Sequence, residues 1–80
     1  MGVSVEQIKK TLTQGGARLE DYFITGDLPC TWSDEGCLLA LVIEDDELFL
    51  ACVEYLRAIG VMEFRTNEEF ERARDEGRLP

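Results

Sequence analysis

With eighty residues, seventeen acids against eight bases and no histidine, the chain carries a formal charge of −9 and has room for one domain, residues 1–80. A composition 45% hydrophobic and 31% charged is that of a globular protein, not a disordered one. The negative charge argues against nucleic acid and against an anionic membrane as partners, because phosphate surfaces are held by clustered Lys and Arg.

The first predicted element is a helix over residues 5–14. Ser4-Val5-Glu6-Gln7 reads as a capping box, Val5, Ile8 and Leu12 recur at helical spacing, and Gly15-Gly16 follows as a stop. Residues 17–24 are ambiguous. Leu19, Tyr22 and Phe23 suit one or two helical turns, while Tyr22-Phe23-Ile24-Thr25 also has strand propensity. Gly26-Asp27 and Pro29 end the segment and open a loop.

Two apolar runs follow, residues 37–43 and 48–53, separated by Glu44-Asp45-Asp46-Glu47. Periodicity alone does not tell a buried strand from a buried helix in such runs. Capping favours helices. Thr31 or Ser33 can open one over 34–43, with Asp34 and Glu35 in its first turn, and Asp45 can open another over 46–59 that Gly60 closes. A link at residues 61–64 leads to a second capping box, Thr66-Asn67-Glu68-Glu69. It opens a helix over 67–76 that turns Phe70 and Ala73 inward and ends at Gly77. The expected fold is therefore all-α: a compact bundle of four to five short helices with the 34–43 and 46–59 pair at its centre. The alternative is an α+β fold with 37–43 as a strand.

The absence of histidine removes the commonest general base and the Ser-His and Cys-His nucleophile pairs. A non-enzyme with no cofactor is expected. Glu44-Asp45-Asp46-Glu47 lacks the alternating spacing and central Gly of a calcium loop, and helix capping accounts for it. Cys30, Cys37 and Cys52 are too few and too widely spaced for a disulfide framework. With no secretory segment visible and no apolar run beyond seven residues, a soluble cytoplasmic protein is expected. Cys37 and Cys52 read as core residues, while Cys30, after Pro29 in a predicted loop, is the thiol expected to be reachable and the candidate reactive one.

Charge is unevenly placed. Residues 19–56 hold ten acids and no base, whereas the flanks hold seven acids and all eight bases. The most hydrophobic part of the chain thus also carries the negative charge, and the terminal helices offer little to cover it. That combination predicts an exposed apolar surface with an acidic rim, the mark of an interaction site. The candidate partner-binding residues are Trp32, Asp34, Glu35, Glu44, Asp45, Asp46, Glu47, Phe49 and Leu50. The predicted function is a small interaction or regulatory module that self-associates, as in a homodimer, or docks a basic protein. Two alternatives compete with it: an acidic decoy for a nucleic-acid-binding or other basic groove, and a thiol or metal site built from Cys30, Cys37 and Cys52.

Overall fold

The structure, a computed structural model, describes residues 2–33 and 35–79. Three helices, α1 (Val5–Thr13), α2 (Asp46–Ile59) and α3 (Asn67–Asp75), pack around four short strands, β1 (Phe23–Thr25), β2 (Leu28–Trp32), β3 (Leu38–Ala40) and β4 (Met62–Phe64). The sheet order is β3-β2-β1-β4. Neighbours β2 and β3, and β1 and β2, are antiparallel, and β4 lies parallel to β1. The expected all-α bundle is overturned: the fold is α+β.

The helices form where local signals agree. Ser4 Oγ accepts from Gln7 N at 3.2 Å, and Asp45 Oδ1 accepts from Glu47 N and Leu48 N at 2.9 and 3.2 Å. Thr66 Oγ1 accepts from Glu69 N at 3.2 Å. Each satisfies a backbone donor that a helix start otherwise leaves open. Gly60, at φ 85°, adopts the left-handed conformation that closes α2, with Gly60 N donating to Arg57 O and Val61 N to Leu56 O. The same pair of bonds recurs at the end of α3, from Gly77 N to Arg74 O and from Arg78 N to Ala73 O.

The sheet arises where the expected helices do not. The 17–24 segment makes a single 3-10 turn, Leu19–Asp21, and then enters β1. Gly26-Asp27 does not simply stop the chain. Both residues have positive φ, 55° and 72°, and they form the two-residue turn of the β1–β2 hairpin. The 34–43 helix is absent among the described residues because Ser33 is engaged in a turn. Its Oγ accepts from Cys37 N at 3.0 Å, its N donates to Cys37 O at 2.8 Å, and its O accepts from Gly36 N at 2.9 Å. The chain therefore reverses into β3, so the strand alternative for 37–43 holds only for Leu38–Ala40. The 61–64 link becomes β4 by pairing with β1.

Alternation along the strands divides the core in two. Ile24 points to the face covered by α1 and α2, where it joins Ile8, Leu12, Tyr22, Cys52, Val53 and Leu56. Phe23, Cys30 and Phe64 point to the opposite face, beneath Phe70 and Ala73 of α3. Phe23 stacks on Phe70 with ring centroids 5.3 Å apart and meets Phe64 edge-on at 6.2 Å, geometries that suit aromatic quadrupoles. Full burial of a Leu, Ile or Phe stabilises by about 1.5–3 kcal/mol, against about 0–1 kcal/mol for an exposed ion pair. The two apolar clusters, not the charges, hold the fold.

Candidate functional site

Two helices cover one face of the sheet and a single helix the other, and the cover does not reach β3. All three β3 residues are exposed, with Leu38 at 43% and Leu39 at 48%, and Val42 just beyond is 85% exposed. Leu41 and Ile43 turn back and pack against the α1/α2 cluster. Leu38, Ala40 and Val42 share the face on which α3 lies, yet α3 packs against β4 and the aromatic cluster and leaves them open.

The backbone of β3 is open as well. Ser33 N donates to Cys37 O, and Leu41 N donates to Pro29 O at 2.8 Å, so residues 37 and 41 face β2. Antiparallel pairing alternates, which turns Leu39 toward β2 and directs the N–H and C=O of Leu38, Ala40 and Val42 to the outer edge. No further strand pairs there among the described residues. Pro29 has no N–H to return to Leu41, which helps to keep β3 short. Beside the edge, a groove of about 540 Å³ runs between the Gly15-Gly16 turn and the sheet, with Tyr22, Thr31, Leu39 and Leu41 in its wall.

Charge around this edge is distinctive. The base-free stretch 19–56 stops one residue short of a compensating arginine at either end. Arg18 pairs with Glu20 and Asp21 at 3.2 and 3.0 Å, and Arg57 pairs with Asp27 and Glu63 at 3.2 and 2.9 Å. Three of the ten acids are thereby paired, sharing two positive charges with Glu63, and a decoy that needs the whole run as one anionic face loses part of it. Glu35, before β3, and Glu44-Asp45-Asp46-Glu47, after it, are exposed and form no ion pair among the described residues. Asp45 is occupied as the α2 cap.

The predicted partner-binding residues fall in different places. Glu35 and Glu44 to Glu47 bracket β3. Trp32 lies at the end of β2, half-buried on the α3 face, with its ring 6.0 Å from Phe23 and 6.3 Å from Phe70. It packs there, and its buried indole Nε1 has no hydrogen-bond partner among the described residues. Phe49 and Leu50 belong to α2 on the other face, Phe49 half-buried against the core and Leu50 59% exposed. Asp34 lies outside the described residues. Leu38, Leu39 and Val42, which the sequence placed in a central helix, are exposed apolar residues that it missed. A seven-residue run is the length of a strand and shorter than most helices, and that was the available signal.

Cys52 lies in the core as expected, but the other two thiols are placed in reverse of expectation. Cys30 is 2% exposed, with its Sγ 3.5 Å from Leu28 O, because alternation in β2 points it into the aromatic cluster. Burial pushes the Cys30 and Cys52 thiols above their ordinary range, which disfavours the nucleophilic thiolate. Cys37, expected in the core, is exposed. Among the described residues no three Cys, Asp or Glu side chains converge in a metal-binding arrangement, and no helix is long and apolar enough to cross a membrane.

No family model matches the chain, and neither a curated protein nor a solved structure is significantly similar to it.

Proposed function

We propose that the chain is a non-enzymatic protein-interaction module that docks a cationic protein through the β3 side of its sheet. The observation that carries this is the uncovered strip of Leu38, Leu39 and Val42, with uncompensated acids before and after it. Apolar side chains at an interface centre supply affinity by leaving water, and a charged rim steers the partner and excludes like-charged competitors. A rim of carboxylates selects Lys and Arg, and it repels nucleic acid and anionic lipid.

The test begins with capture of partners from a native lysate at low salt, followed by reconstitution with the purified candidate. Leu39→Lys together with Val42→Lys replaces two of the three apolar side chains with cations that repel a Lys- or Arg-bearing partner. The double variant is expected to lose the purified partner, and wild-type binding is expected to weaken as salt rises. A purified partner that binds the double variant as well as wild type counts against the proposal. So does a chain that captures no protein and stays strictly monomeric.

A further inference from the structure

We infer that the partner is held by strand addition: an extended segment with an apolar centre and Lys or Arg on both sides pairs with β3 as a fifth strand of the sheet. This rests on the proposed docking role and specifies its geometry. The outward N–H and C=O groups of Leu38, Ala40 and Val42 are a strand template, and such groups are matched by another extended backbone more completely than by a helix or a flat surface. Proteins commonly guard an edge of this kind with Lys, Pro, a bulge or an inward-pointing charge. Residues 37–43 contain none of these residue types.

The same residues state what the added strand looks like. Its alternate side chains fall on the two faces of the sheet. One set lies beside Leu38 and Val42, and the other lies at the mouth of the groove walled by Tyr22, Thr31, Leu39 and Leu41. Medium-sized apolar or β-branched side chains fit both. Glu35 lies in the turn just before the three-residue β3 and Glu44 four residues after it, so the basic residues belong just outside the apolar centre of the segment, on both sides.

A second copy of the chain is the natural rival, because β3 could pair with its own two-fold mate. That arrangement runs the strands antiparallel and brings the Glu35 turn of each copy toward the Glu44-Asp45 end of the other. Like charges directly opposite are destabilising, so the rim that welcomes a basic strand opposes the homodimer.

The experiment uses the full chain and a synthetic peptide, Lys-Lys-Val-Thr-Val-Thr-Val-Lys-Lys, in two N-methylated forms that block the amide donors on one edge or on the other. Side chains and charge are the same in both. Binding is read by fluorescence anisotropy and by amide hydrogen exchange. One methylated form is expected to bind like the parent and the other to weaken by about tenfold or more, the scale of one or two lost hydrogen bonds. The Leu38, Ala40 and Val42 amides are expected to slow in exchange when the peptide binds. Equal binding of both methylated forms overturns strand addition and leaves the docking surface standing. Slow exchange at these amides without peptide, together with a dimeric mass, identifies the second copy as occupant and overturns the inference. No binding by any form, with fast exchange and a monomeric mass, removes both the inference and the docking role.

Discussion

The two edges of the sheet are built to opposite specifications. At the β4 edge Glu63 sits mid-strand, held by Arg57 at 2.9 Å, and the same guanidinium reaches Asp27 at the hairpin turn. A charge of this kind is a usual guard against edge-to-edge pairing, and α3 follows directly to bury Phe64. Both edges expose an apolar side chain, Met62 at 42% on β4 and Leu38 at 43% on β3, but at the β3 edge there is no charge and acids appear only before and after the strand. A chain that guards one edge and leaves the other open shows that the open one is not an unavoidable consequence of a small sheet. Size alone would weaken both edges alike.

The largest effect tests whether β3 is dispensable to the fold. Phe23→Ala removes the ring shared by Trp32, Phe64 and Phe70 and is expected to destabilise by about 3–5 kcal/mol in urea unfolding. Leu39→Ala is expected to stay within about 0.5 kcal/mol. A loss at Leu39 comparable to that at Phe23 makes β3 core and removes the contrast.

Next in size is Tyr22, whose hydroxyl donates to Leu12 O at 2.8 Å and ties the sheet to α1. Tyr22→Phe leaves that carbonyl unpaired and is expected to cost about 1–2 kcal/mol. Burial first, and the Cys52 thiol second, hold the Tyr22 phenol above its ordinary range. A group whose folded pKa is raised contributes stability that is complete below its unfolded pKa and is lost as pH rises through the folded one. Stability is therefore expected to hold through neutral pH, to decline from about pH 9 as the Cys30 and Cys52 thiols titrate, and to decline further above pH 10 through Tyr22. Tyr22→Phe flattens the last part. A Tyr22→Phe profile that matches wild type shows that the phenol does not contribute.

The guarded edge can be opened and the open edge guarded. Glu63→Val with Arg57→Leu makes β4 resemble β3 at a cost of about 1 kcal/mol or less, since the lost pairs are exposed, and concentration-dependent association is expected by light scattering. Leu39→Lys, the smallest perturbation to stability, is expected to change unfolding by less than about 0.5 kcal/mol while abolishing partner binding. If the opened β4 edge stays monomeric, Glu63 is no guard. If Leu39→Lys binds normally, β3 is no docking site.

The helices were legible because their signals are local. Ser4, Asp45, Thr66, Gly60 and Gly77 act within four or five residues of chain, and α2 spans Asp46–Ile59 as its caps indicate. The β1–β2 hairpin also had a local signal, a Gly-Asp pair between Tyr22-Phe23-Ile24-Thr25 and Cys30-Thr31-Trp32, but Pro29 suggested a break. Pro29 is tolerated because its missing donor faces the short β3 and not β1. Of the candidate site, the acids on either side of β3 were visible in the sequence. The strip between them was not, since Leu38 and Leu39 look like core until a partner element is known.

What the amino-acid sequence determined by itself is the composition-level character of the protein and the places where helices begin and end. The first is a sum over residues, and the second depends on hydrogen bonds between near neighbours. Only the tertiary structure decided that Phe23–Thr25, Leu28–Trp32, Leu38–Ala40 and Met62–Phe64 pair as strands, that Cys30 is buried and Cys37 exposed, and that Arg18 and Arg57 neutralise part of the acidic stretch. Strand pairing and compensation at a distance depend on which segments meet. Here they decide which part of the −9 charge is spoken for, and that the unpaired part brackets an open strand.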